Sequence, residues 1–439
     1  MTDSNRVPVR FNAVSPSRLQ SRRSGVHRSL NAGNSRRASA KLCGAFLGSL
    51  LILVAARATA VENLEAGKQA LRPATGKEYS ASIPVWLDVL RRDPTNAVAF
   101  LGLGLAYAAE GETTNAIKAY DEAIRFAPGI PESYFDRATA WHKLGDQQKA
   151  IKDFSQAINL NPAYADAYCG RGVVLSAKGE LDQAIKDFSK AIELNRTNFT
   201  ALDGRATAEQ RKGDLDKAIV DYTAAIRLNP ADVRLAYNRG LAFEKRGDLD
   251  KAIEDFIHMV QLAPSNPLAH FILGETYEKK AEWGKAAQAY GEAIRLKPRD
   301  PALYHDRGRV LSMKGEWASA LSDFREAIDL NPRFAGAYND LAYLLATCPE
   351  ASIRNGAAAV QAATKACELS GWESWYYVGT LAAAKAEAGD FAGAVKYEKQ
   401  AMLTKGLTRR DKEDLEKKLE LYRRGEPYHG RPEIVEGSQ

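Results

Sequence analysis

Arg171 and Asp187 are the residues in this sequence whose types and spacing most suggest chemistry. The arginine interrupts the apolar run "GRGVVLSAKG" at residues 170–179, and the aspartate sits beside Phe188. A guanidinium fork and a carboxylate form a strong charge-assisted pair, the kind of group an active site uses to orient a reactant. The same spacing recurs as Arg137 and Asp153, Arg205 and Asp221, Arg239 and Asp255, and Arg307 and Asp323. A catalytic pair is needed once, in one cleft. Five copies predict structural salt bridges.

Other chemical signatures are missing from the sequence. His142, His258, His270 and His305 are scattered, without metal-ligand spacing. No phosphate-cradling loop of the G-x-x-x-x-G-K-[ST] type occurs, nor G-x-G-x-x-G, and "GLGLAY" at residues 102–107 reads as helix interior. Cys169, Cys348 and Cys367 lie in the body without a C-x-x-C. Helix rise should separate the last two by roughly 15–20 Å, too far for a disulfide. The sequence therefore predicts no enzyme, no catalytic residue, no metal site and no cofactor.

The elements that position these charges repeat every 34 residues. Proline marks the period at 128, 162, 230, 264, 298 and 332, with Arg196 in the one gap. Alanine keeps the same step from Ala116 to Ala320, and so do the aromatics Tyr120, Phe154, Phe188, Tyr222, Phe256, Tyr290 and Phe324. Numbering each unit from 1, with residues 97–130 as the first clear copy, position 8 is always small and position 15 is usually glycine. Small residues at 8 and 20 let two helices approach closely, glycine at 15 ends the first helix, and proline at 32 ends the second. In an antiparallel pair that turns at position 15, facing positions sum to about 30. Arginine at 7 thus faces aspartate at 23. Where position 7 is leucine, position 23 is not aspartate: Leu103 with Ala119, Leu273 with Ala289, Leu341 with Ala362, Leu381 with Tyr397.

A 34-residue unit of this content, best seen in "HFILGETYEKKAEWGKAAQAYGEAIRLKP" at residues 270–298, resembles the tetratricopeptide repeat. The resemblance implies an all-α fold: an α-solenoid of antiparallel helix pairs wound as a right-handed superhelix. About ten units fill residues 63–408. Residues 63–96 are degenerate, with Ser82 in the alanine slot and Pro84 inside the second helix; residues 335–374 are expanded around "CPEASIRNG". Residues 409–425 read as a solvating cap helix, with Leu415, Leu419 and Tyr422 on one face. Residues 426–439 are expected to be a flexible tail.

The net charge of +6 is concentrated at the N-terminus, where residues 1–60 hold ten Lys or Arg and one acid, Asp3. The remainder has 51 basic and 54 acidic residues (61 − 10 and 55 − 1), a balance of −3 that gives no reason to expect nucleic acid. Residues 1–41 are predicted to be a disordered basic region. The uncharged stretch "LCGAFLGSLLILVAA" at residues 42–56 is shorter than a membrane span and fits the core of a signal peptide. Ala56-Arg57-Ala58 and Ala58-Thr59-Ala60 both suit cleavage, and "SRRASAK" at residues 35–41 partly resembles a twin-arginine motif. Export to the periplasm or cell envelope is expected; the alternative is membrane anchoring by residues 42–60.

The C-terminal third, with "LATCPEASIRNG", "TLAAAKAEAGDF" and "LELYRRGEPYH", resembles a bacterial tetratricopeptide subfamily with an expanded penultimate repeat. The resemblance implies a scaffold that binds a protein or peptide on the concave face formed by the first helices. Alternatives are an adaptor that presents substrates to an envelope enzyme or secretion machine, and a membrane-tethered structural protein. In the family, positions 2, 5, 6, 9, 12 and 13 face the groove, which here makes Tyr237, Asn238, Lys245, Phe271, Glu275, Lys279, His305 and Asp306 the candidate lining. Tyr237 and Phe271 would serve as apolar anchors, or else pack between adjacent first helices. The family's carboxylate clamp for chaperone tails needs lysine at 5 and asparagine at 9 of one repeat. Position 5 has no lysine and position 9 no asparagine, so no such clamp is expected. Trp372, Trp375, Tyr376 and Tyr377 form either an aromatic docking patch or the packing between the last two repeats.

Overall fold

A computed structural model describes residues 76–404 and 406–430. The basic region 1–41, the apolar stretch 42–60 and the start of the first repeat lie outside the described residues, as do residues 431–439. Among the described residues there are twenty helices and no strand. None is long and apolar enough to cross a membrane.

Contacts divide the chain into two units, residues 76–248 and 249–430. The first holds α1 (Gly76–Arg92), α2 (Ala97–Glu110), α3 (Thr113–Phe126), α4 (Pro131–Lys143), α5 (Gln147–Leu160), α6 (Ala165–Lys178), α7 (Leu181–Leu194), α8 (Phe199–Lys212), α9 (Leu215–Leu228) and α10 (Val233–Arg246). The second holds α11 (Leu249–Leu262), α12 (Pro267–Lys279), α13 (Trp283–Leu296), α14 (Pro301–Lys314), α15 (Trp317–Leu330), α16 (Ala335–Thr347), α17 (Gly356–Leu369), α18 (Trp375–Glu387), α19 (Phe391–Met402) and α20 (Arg409–Arg423). Within each unit, every complete 34-residue period becomes a first helix packed on a second helix. Successive first helices also touch: α2, α4, α6, α8 and α10 in one unit, α14, α16 and α18 in the other. The fold is an all-α solenoid of helix pairs.

Local chemistry sets the ends of these helices. Asn96, Asp146 and Asn198 accept a backbone N–H from the first turn, and Pro131, Pro267 and Pro301 open their helices where the missing N–H costs nothing. The turn at position 15 needs a left-handed residue: Gly179 has φ 90°, and Ala281 takes the same slot at φ 57°.

The core is a row of aromatic rings held between small residues. Phe188 is fully buried between its own first helix and the next one. A Cβ on Gly172 would stand 2.9 Å from that ring, and one on Gly204 only 2.5 Å. Glycine at position 8 of one repeat and position 6 of the next therefore makes room for the ring. Burying it contributes about 1.5–3 kcal/mol.

The expanded repeat closes in the same way. Arg354 donates to the Cys348 carbonyl at 2.9 Å and to Glu387 Oε1 at 3.0 Å, which folds the insertion back onto the end of α18. Part of the expected tail is also fixed. Gly430 N–H donates to the Thr347 carbonyl at 2.9 Å, and His429 Nε2 lies 2.6 Å from Glu387 Oε2. Tyr428 packs against the core of the second unit, so residues 426–430 belong to the fold because their ring and backbone find partners there.

Candidate functional site

The repeated charges sit where first and second helices face each other. Arg171 Nε and Nη2 donate to Asp187 Oδ2 and Oδ1 at 2.7 and 2.8 Å. The same two-bond fork joins Arg137 to Asp153, Arg205 to Asp221 and Arg307 to Asp323. Asp255 is buried, and Arg239 Nη1 donates to Thr223 Oγ1 at 3.0 Å. The Asp187 bond, outweighing burial, raises the pKa of Arg171 above its ordinary value. The aspartates are buried and the arginines mostly so, and each pair staples a first helix to its second helix.

Four of the five arginines, Arg137, Arg171, Arg205 and Arg239, have a third partner that the facing-position register does not supply. Their Nη1 reaches position 25 of the preceding second helix: Asp121 at 2.7 Å from Arg137, Ser155 at 3.0 Å from Arg171, and Ser189 at 3.1 Å from Arg205. The arginine thus ties its own pair to the previous one. At Arg307 this position is Gly291, where a Cβ would lie 3.7 Å from Nη1 with nothing else nearby. Gly291→Ser should raise stability by about 1–2 kcal/mol, from better helix propensity and one new bond to a charge. A urea midpoint no higher than that of the wild type would deny the third bond any value.

The eight candidate groove residues divide between the units. Tyr237, Asn238 and Lys245 lie on α10; Phe271, Glu275 and Lys279 on α12; His305 and Asp306 on α14. Tyr237 is 1% exposed and Phe271 6%, which corrects their reading as docking anchors. Position 5 is a packing position: Phe271 lies 5.8 Å from the ring of Tyr290, as Phe135 lies 5.6 Å from Phe154 and His305 5.9 Å from Phe324. Lys245 and Lys279 are exposed and Asn238 and Glu275 half-buried, with Asn238 Nδ2 donating to Asp203 Oδ1 at 3.4 Å. Trp375 and Tyr377 pack against the core of the second unit, whereas Trp372 stays 39% exposed and stacks on Tyr397 at 6.1 Å.

His305 and Asp306 are joined by the structure into something larger. On α12, α14 and α16 a polar chain runs across three first helices. Tyr290 donates to Glu278 Oε2 at 2.8 Å, Arg309 to Glu278 Oε1 at 2.9 Å, and His305 Nε2 lies 2.8 Å from Asp340 Oδ2. Arg309 Nη1 and His305 Nδ1 lie 3.9 and 3.6 Å from Asp306 Oδ1, and Asn339 Nδ2 donates to Asp340 Oδ1 at 2.9 Å. Burial disfavours a charged His305, but its bonds to Asp306 and Asp340 outweigh that and raise its pKa. Burial likewise opposes ionisation of Asp340, and the bond from His305 overcomes it to lower the pKa.

The first unit carries carboxylates on its first helices instead. Burial, helped by Glu132, pushes Asp136 up to about 8; burial lifts Asp203 to about 6 against the pull of Arg234, and raises Asp166 as well. The polar partners Glu278, Arg309 and Asp340, and the acidic row Asp136, Asp166 and Asp203, all stand at positions 2, 5, 6, 9 or 12. That shared register was the available signal for them.

Cys169, Cys348 and Cys367 are buried and unbridged. Burial pushes the thiols of Cys169 and Cys367 up to about 12, so both stay protonated. Among the described residues no group of three or more His, Cys, Asp or Glu is placed to hold a metal ion.

Tetratricopeptide repeat family models match residues 74–131, 140–179, 165–198, 205–274 and 269–302. The chain is a tetratricopeptide repeat protein. No curated protein matches its sequence. Solved structures similar to this repeat protein include the C-terminal part of a TPR repeat-containing protein from Cytophaga hutchinsonii, 17% identical, covering 54% of this chain and 98% of that one at a TM-score of 0.49. YrrB, described as a TPR protein with an unusual peptide-binding site, is 19% identical over 42% of this chain and 95% of its own, with a TM-score of 0.37. MamA from Desulfovibrio magneticus RS-1 is 21% identical over 38% and 95%, also at 0.37.

Proposed function

We propose that this tetratricopeptide repeat protein is a non-enzymatic scaffold that holds a protein or peptide partner on the face of its first helices. The partly exposed ends of the polar chain, Glu278 and Asp340, with Arg309, Asp306 and His305 buried between them, carry this reading. In other repeats the same positions hold packing residues such as Leu101, Gly170, Val173 and Gly204. Helix packing does not require charge there, whereas an extended ligand needs polar groups to fix its register beside apolar contacts. A peptide selected from a random library against the protein should lose at least about tenfold in affinity on Lys279→Glu, a 1.4 kcal/mol effect. Lys285→Glu on the second helix α13 should leave affinity unchanged. Equal losses from both, or none from Lys279→Glu, would move the site off this face.

The reading includes export to the cell envelope, supported by the short apolar core at residues 42–56 and the alternating alanines after it. Intact-mass measurement on the envelope fraction should show a chain beginning at Thr59 or Val61. A full-length chain found only with membranes would favour the anchor instead.

A further inference from the structure

In the last repeat, residues 375–408, the aromatic slot at position 24 is filled by Glu398. This glutamate is 0% exposed, and neither carboxylate oxygen has a hydrogen-bond partner. It lies on α19 under the cap helix α20. A Cβ on Gly379 of α18 would stand 3.9 Å from Glu398 Oε2 and 3.6 Å from Leu415 Cδ2, so carboxylate and cap meet at one point. The Tyr422 hydroxyl of α20, 1% exposed, also has no partner. In the seven repeats that fill residues 97–334 a phenyl or phenol ring fills this slot. Here the protein buries a carboxyl group at the contact between α19 and α20, the last of the described helices.

We propose that docking of α20 is coupled to a proton on Glu398, so that the cap is a pH-sensitive lid over the end of the solenoid. Docked, Glu398 is held neutral in a buried site; ionised, it needs water or a hydrogen-bond donor, and none reaches either carboxylate oxygen. The titratable groups facing it are Lys418 and Tyr422 of α20, with Tyr343 of α16 and Tyr428 of the following segment beside Tyr422. Lys418 lowers the pKa only in part, since its Nζ sits over the rings of Tyr428 and Tyr343 at 5.0 and 6.0 Å. Burial wins and pushes Glu398 from 4.5 up to about 8. A raised carboxyl pKa means that the docked state holds the extra proton. Docking is therefore strongest below about pH 4.5 and weakens as pH rises toward about 8. Leu415, Leu419 and Tyr422, all buried, keep the cap in place near neutrality.

Amide hydrogen exchange of residues 409–423 in the full chain tests this. After division by intrinsic exchange rates, protection should fall by up to about tenfold per pH unit between roughly pH 5 and pH 8. Glu398→Gln should flatten that dependence, and Glu398→Met, uncharged and of similar length, should do the same. Circular dichroism checks that each variant is folded. A flat wild-type profile, or equal slopes in wild type and both variants, would overturn the proposal.

Discussion

Arg171→Leu should lower the stability of this protein by up to about 3–5 kcal/mol, because Asp187 stays buried without its partner. Adding Asp187→Ala should restore most of the loss. The double variant recreates a combination the protein already uses, Leu103 with Ala119 and Leu273 with Ala289, all four buried. Ser155, the third partner of Arg171, is not stranded, since its hydroxyl also donates to the Ile151 carbonyl at 2.7 Å. Thermal or urea melts of the wild type, both single variants and the double variant form a complete cycle. A double variant no more stable than Arg171→Leu would mean that the pair contributes nothing as a unit.

Phe271→Ala should cost about 3–5 kcal/mol, and Tyr237→Ala a loss of the same order, because each removes a buried ring and leaves a cavity. Phe271 is packed on Tyr290, whose hydroxyl is committed to Glu278, so the gap cannot be refilled by a swing of that ring. The measurement is the unfolding midpoint of each variant without any ligand. Midpoints within about 0.5 kcal/mol of the wild type would return both residues to the accessible surface.

The difference between these residues and the arginines shows what the sequence made legible. Arg171 and Asp187 recur at one separation and change together with Leu and Ala, so their contact could be read from letters alone. The small residues that admit Phe188 follow the same logic, Gly172 by its fixed place at position 8. Tyr237 and Phe271 gave no such signal, because a ring at position 5 suits a groove and an interhelical contact equally. Only its distance to the position-24 ring decides. Ser155 and Ser189 were hidden because position 25 varies among Asp, Ser and Thr, each accepting from one guanidinium, and Gly, which offers no side chain. Glu398 was visible as a break in the aromatic series, but its meaning depends on α20 folding over it. The binding of residues 426–430 depends on Glu387 and Thr347, which are far away in sequence.

The most direct test of the first-helix face as the binding surface is photo-crosslinking in cells. A crosslinking amino acid would be placed at Lys279 on α12 and, separately, at Lys285 on α13, in the otherwise unaltered protein. A discrete partner adduct at Lys279 and none at Lys285 is the expected result. Adducts at Lys285 without any at Lys279 would contradict it and place the partner on the second helices.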